Sequence, residues 1–321
     1  MNLLAMTIHL PVPGVAAVVT AQVLGVLLLP PLLMSVIAKT KAWFGGRDGP
    51  PWLQPYFDLL KLFRKGAVYS HTTTWVFRAG PIVSLAALLT ATTMIPVLGP
   101  NSWLGFKGDL ILVAYLFALG RMFTVLAAMD TGSAFEGMGS AREVTFATMS
   151  EPALFLCLAV LAISTGNLQL DDMLGTNLAG AWHSVGPAML LVVGALFIIL
   201  LTECSRIPVD DPLTHLELTM IHEVMVLDHS GPDFAYITYG AALKFTLLGS
   251  LLVHAAMPQV AWVGLPGALL WLAALMALAL LVGIIESTMA RLRLNRVSLL
   301  LAGATVLSGL AVLLVLFNKL A

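Results

Sequence analysis

Long apolar runs separated by short polar stretches dominate this chain. Eight of them reach the roughly 20 residues a helix needs to cross a bilayer: 14–38, 75–99, 109–129, 143–165, 183–206, 234–257, 262–287 and 297–318. Strands of a membrane barrel are about 10 residues long and alternate in polarity; these runs do neither. The pattern predicts an all-α polytopic membrane bundle of about eight transmembrane helices, with residues 1–321 as a single integral membrane domain.

The polar positions that interrupt the runs are the informative ones. Arg121, Glu143, Glu151, Glu203, Lys244 and Glu286 lie inside or at the edge of five predicted spans. A charge at mid-membrane costs about 2.5–3.5 kcal/mol on insertion scales, so such residues face a polar interior and mark ion or proton paths. Arg121 needs a carboxylate partner in that setting, and Glu151 and Glu203 are both candidates. Glu143 and Glu151 sit about 12 Å apart along one helix, as successive stations rather than a pair. Glu143 reads alternatively as a residue at the cytoplasmic helix end, Glu203 as a local partner of Arg206, and Glu286 as an interfacial partner of Arg291. An intramembrane lysine such as Lys244 can exchange protons. Arg78 can snorkel, and His183 and His254 fall toward outer helix ends.

Between the spans, two long loops carry their own signals. The first, 39–74, has the turn Gly45-Gly46-Arg47-Asp48-Gly49-Pro50-Pro51. Tyr56, Leu59, Leu60 and Phe63 follow at helical spacing, with Asp58, Lys61, Arg64 and Lys65 largely opposite. That is a short amphipathic helix for the membrane interface, either a peripheral anchor or a docking surface for a soluble partner. In the second, 207–233, Asp211 suits a helix N-cap and Pro212 its first turn. An apolar stripe then predicts a helix bearing Glu217 and Glu223. His215, His222 and His229 recur every seven residues, about 10.5 Å apart on a helix, too far to share one metal ion. A solvated or subunit-contacting face fits them, as does proton relay.

Composition narrows the class. With 59% hydrophobic and 10% charged residues and a mean hydropathy of +0.96, a soluble globular domain is excluded, and nucleic acid is not an expected partner. Cys157 and Cys204 lie in separate apolar runs and read as core residues. The N-terminus has no positive region before its apolar run, so it reads as a first helix and not a signal peptide. Placed with both termini outside, the chain puts eleven Lys and Arg in inward segments and two, Lys107 and Lys319, in outward ones. Both long loops then face the cytoplasm.

These residues carry a family resemblance. Gly45-Gly46-Arg47-Asp48-Gly49-Pro50, with Gln54 and Asp58-Leu59-Leu60-Lys61-Leu62, resembles the first cytoplasmic loop of the complex I membrane subunit at the foot of the quinone site. Asp130-Thr131-Gly132-Ser133, Gly139-Ser140-Ala141-Arg142-Glu143 and the run Glu286–Leu294 are more similar to its counterpart in group 4 nickel–iron hydrogenases, the hydrogenase-4 component C and formate hydrogenlyase type. Pro208-Val209-Asp210 and Glu217-Leu218 keep parts of the family's acidic loop. Leu213 and His215 stand where other family acids align, and about three extra residues precede Asp228-His229-Ser230-Gly231, which favours the hydrogenase branch.

The resemblance implies a non-catalytic subunit of an oxidoreductase complex in the cytoplasmic (inner) membrane. It would bind no metal or redox centre itself. Its implied partners are soluble hydrogenase large and small subunits holding the NiFe and Fe–S centres, and antiporter-like membrane subunits moving H⁺ or Na⁺. Glu143, Glu151, Glu203, Lys244, Arg121 and Glu286 would couple ions; Arg47, Asp58, Lys61, Asp210, Asp211, Glu217 and Glu223 would dock the arm. A complex I-type subunit with a quinone site is the alternative, and a stand-alone transporter is a third.

Overall fold

The computed structural model describes residues 7–8, 15–97, 102–175, 177–210, 220–257 and 264–320. The helices are α1 Val15–Phe44, α2 Gln54–Phe63, α3 Trp75–Thr92, α4 Asp109–Asp130, α5 Ala134–Thr165, α6 Leu170–Leu174, α7 Asn177–Glu203, α8 Gly231–Ala256, α9 Gly264–Thr288 and α10 Leu294–Leu320. All but α2 and α6 are long and apolar enough to cross a membrane, eight spans in all. The expected all-α bundle is therefore the fold. Its one departure is a two-residue antiparallel pairing of β1 (Thr7–Ile8) with β2 (Leu104–Gly105).

Small residues and satisfied backbone groups hold the bundle, since lipid offers neither hydrogen bonds nor a hydrophobic drive between helices. A Cβ on Gly80 of α3 would stand 2.6 Å from the Ala127 Cβ of α4, so glycine there lets the two helices close. In α1, Pro31 has no N–H for the carbonyl of Leu27. The Tyr239 hydroxyl of α8 donates to that oxygen at 2.9 Å, and Tyr56 of α2 donates to the carbonyl of Leu28. The proline break thus fastens α2 and α8 to α1. Asp130, at the end of α4, caps α3 by accepting from the backbone N–H groups of Thr74 (2.6 Å) and Phe77 (3.3 Å).

Two elements differ from the sequence expectation. α5 begins at Ala134, nine residues before 143, and its 32 residues extend about 48 Å, well past a hydrocarbon core of about 30 Å. Gly137, Gly139 and Ser140 look like loop residues in sequence. Gly139 is instead a contact glycine: its Cβ would lie 2.3 Å from Val224 Cγ1 and 2.9 Å from the Ile221 carbonyl. The other difference is in the second loop. Its described end is a 3-10 turn, Glu223–Val226, where a helix carrying all three histidines was expected. The start of that expected helix, with Asp211, His215 and Glu217, lies outside the described residues.

Candidate functional site

Four spanning helices meet around Arg121. Its guanidinium, only 8% exposed, projects from the middle of α4. Nη1 lies 2.9 Å from Glu151 of α5, and Nη2 lies 2.5 Å from Glu203 at the end of α7. Nε stands 3.6 Å from Glu143 of α5, an ion pair too long for a hydrogen bond. Lys244 of α8 reaches the same Glu203 oxygen at 2.8 Å, and the Ser150 hydroxyl donates to the other at 2.8 Å. Five of the six intramembrane charges thus form one cluster.

The arrangement follows from electrostatics. A buried guanidinium is tolerable only where acceptors replace its water, and three carboxylates do so here. Three negative and two positive groups leave a formal charge of −1, so one proton neutralises the cluster. A cavity of about 70 Å³ adjoins it, lined by Arg121, Glu143, Glu203, Lys244, Ser205 and His222. The space is polar and large enough for water. His222 belongs to the second loop, so the cavity runs from the cluster to that loop. At the opposite end the Glu151 side chain is 39% exposed and reaches the outer surface of the chain.

Both readings left open for Arg121 hold together, since Glu151 and Glu203 bind it at once. Three other expectations are corrected. Glu143 is not at a helix end, because α5 starts nine residues earlier. Glu203 does not pair with Arg206, and Glu286 does not pair with Arg291. The Glu286 side chain is fully buried between Lys41 of α1 (2.9 Å) and Arg206 (3.4 Å), in a second cluster apart from the first. Arg206 also lies 5.8 Å from the Phe245 ring centroid.

Among the expected docking residues, Arg47, Asp58 and Lys61 are exposed, and Asp58 accepts from Gln54 Nε2 at 2.9 Å. Asp210 is not a surface residue. Only 1% exposed, it pairs with Arg291 at 3.0 Å and accepts from the backbone N–H groups of Ile221 and His222, tying its own loop together. Glu223 is half-buried, and burial raises its pKa above the usual carboxylate range against the pull of His222. Asp211 and Glu217 lie outside the described residues. Nor is His229 on a solvated face: it stacks on Phe77 with ring centroids 4.0 Å apart, and burial pushes its pKa down to about 4. His254, expected near an interface, is buried and bonded to the Ser250 carbonyl at 2.8 Å.

Sequence reasoning missed Ser150, Lys41, Arg206 and Glu136 as polar partners. Glu136 is buried and accepts from the Asp228 backbone at 3.1 Å, pinning the loop to α5. Its place in the loop-like stretch before 143 concealed it. Among the described residues no group of three or more His, Cys, Asp or Glu is placed to hold a metal.

The model of the family described as NADH dehydrogenase matches residues 16–318, nearly the whole chain. The chain belongs to the NADH dehydrogenase family. Among its relatives, hydrogenase-4 component C of Escherichia coli (strain K12) is 33% identical over 238 residues, 74% of either chain. Formate hydrogenlyase subunit 4 of the same strain is 30% identical over 280 residues, 85% of this chain and 90% of that one. A membrane chain of the NADH-quinone oxidoreductase of Anaplasma phagocytophilum (strain HZ) is 26% identical over 254 residues, 73% of this chain and 74% of that one. A chain in the solved membrane-bound sulfane sulfur reductase, an archaeal respiratory membrane complex, shares the fold. Its TM-score is 0.78 at 21% identity, over 94% of this chain and 99% of that one. This member of the NADH dehydrogenase family is a multi-pass membrane protein, and the resemblance read from its loops is borne out.

Proposed function

We propose that this chain is the anchoring and coupling subunit of a complex I-like, energy-converting hydrogenase in the cytoplasmic membrane. It docks a soluble NiFe and Fe–S arm on its two cytoplasmic loops and passes the redox event to antiporter-like membrane subunits that move H⁺ or Na⁺. The Arg121 cluster carries this reading: an acid-rich set of charges in mid-bundle, wetted by a cavity that begins at the second loop. The likeness to hydrogenase and formate hydrogenlyase components supports the hydrogenase branch.

In the proposed mechanism, a redox change in the arm shifts charge near His222 and Glu223 at the loop end of the cavity. The carboxylates respond through Coulomb interaction at short range, where the low dielectric makes each charge strongly felt. Arg121 and Lys244 hold Glu203 as a fixed anion, while Glu143 and Glu151 sit on either flank of the guanidinium. Protonation of one flank frees Arg121 to favour the other. Because Glu151 reaches the outside of the chain, the signal leaves toward a neighbouring membrane subunit that covers it.

Purification of the tagged chain in mild detergent tests the assignment. Co-purifying nickel and iron with hydrogen evolution is the expected result. Iron and flavin without nickel, with quinone-dependent turnover, would replace it with a complex I-type assignment.

A further inference from the structure

An apolar groove of about 440 Å³ lies between α1, α2, α3 and α8. Leu27 and Leu28 form one wall, Leu85 and Leu89 another, and Leu60 and Phe63 of α2 close it toward the cytoplasmic side. Leu28, Leu60 and Phe63 are each about half exposed, so the groove opens sideways at the bilayer interface. The Tyr56 and Tyr239 hydroxyls at its wall already donate to α1 carbonyls. What the wall presents is hydrocarbon, suited to an aliphatic chain and poorly suited to a carbonyl-bearing ring that seeks donors.

The rim has a sign. On α2, exposed Arg64 lies one turn beyond Leu60, and exposed Lys61 follows it directly. Asp58, the one acid of this helix, points about 160° away from Leu60 and is held by Gln54. Aliphatic groove and cationic rim are therefore adjacent, in the order in which a phospholipid presents tail and phosphate.

We propose that this groove holds an acyl chain of one anionic phospholipid, with its phosphate against Lys61 and Arg64. The bound lipid fills the space between α2 and the bundle and sets how firmly the amphipathic helix lies on it. This assignment does not depend on the coupling role of the Arg121 cluster.

The test uses the whole complex in nanodiscs with phosphatidylglycerol bearing a photoreactive group near the acyl terminus. Adducts are expected on Leu85, Leu89 and Tyr236 at several times the level on the exposed α10 residues Leu313 and Phe317, which report ordinary annular lipid. The matching phosphatidylcholine probe should label less. Lys61→Gln and Arg64→Gln should each reduce the preference for phosphatidylglycerol about five-fold. Both substitutions lie on an exposed helix face, so folding is retained. Leu85→Trp, which fills the groove, should abolish the adducts. Groove labelling equal to that of α10, equal labelling by both lipids, or displacement of the probe by a short-chain quinone would each overturn the proposal.

Discussion

Two buried ion clusters share this bundle and are built oppositely. Around Arg121, three carboxylates face two cations beside a water-sized cavity, and one acid reaches the protein's outer surface. Around Glu286, a single fully buried carboxylate lies between two cations, Lys41 and Arg206. The first set has a formal charge of −1 and more than one place for a proton; the second has a formal charge of +1 and one carboxylate held from both sides. Burial and charge alone do not mark a conduction site. Excess acceptors, wetting and an open end distinguish a cluster that moves charge from one that ties α1, α9 and the end of α7 together.

The sharpest way to break the distinction is to remove the hub. Arg121→Leu strands three carboxylates and should cost about 3–5 kcal/mol, the range for breaking a buried ion set by deleting one partner. The loss should appear in the thermal unfolding of the detergent-solubilised complex. Glu286→Gln keeps an acceptor for both cations and should cost less, about 1–3 kcal/mol. Hydrogen evolution should then fall only as far as the amount of assembled complex falls. If ion movement per hydrogen is lost in Glu286→Gln, the second cluster conducts too and the contrast fails.

The smallest effect concerns acid sensitivity outside both clusters. His229 has a folded pKa near 4 against an ordinary 6.5. Between those values the unfolded chain binds a proton that the folded chain excludes, so stability falls as pH drops from 6.5 toward 4, by at most about 1.4 kcal/mol per pH unit. Glu223, raised by burial, works the other way. His229→Phe preserves a ring against Phe77 and should flatten the acid loss in unfolding curves. An unchanged acid slope would remove His229 as its source.

The spans and the intramembrane charges were legible in the sequence because lipid imposes length and polarity on every helix. The pairings were not, because neighbours in sequence part company where helices end. Arg206 is three residues from Glu203, yet α7 stops at Glu203 and Ser205 turns the chain with φ 49°. Arg206 therefore leaves the helix face and meets Glu286. Likewise α9 ends at Thr288, so Arg291 swings to Asp210. Only Arg121, in mid-helix with the chain helical on both sides, had partners that could be named beforehand. The Gly-rich start of α5 was misread for a related reason: its glycines serve contact with a turn some 85 residues away.

Glu151→Gln offers the most direct test. The variant complex, reconstituted in liposomes, would be assayed for hydrogen evolution and ion gradient together. Assembly and hydrogen evolution should persist while the gradient per hydrogen collapses, and Glu286→Gln in the same assay should keep its wild-type ratio. A wild-type gradient per hydrogen in Glu151→Gln would contradict the assignment of charge movement to the Arg121 cluster.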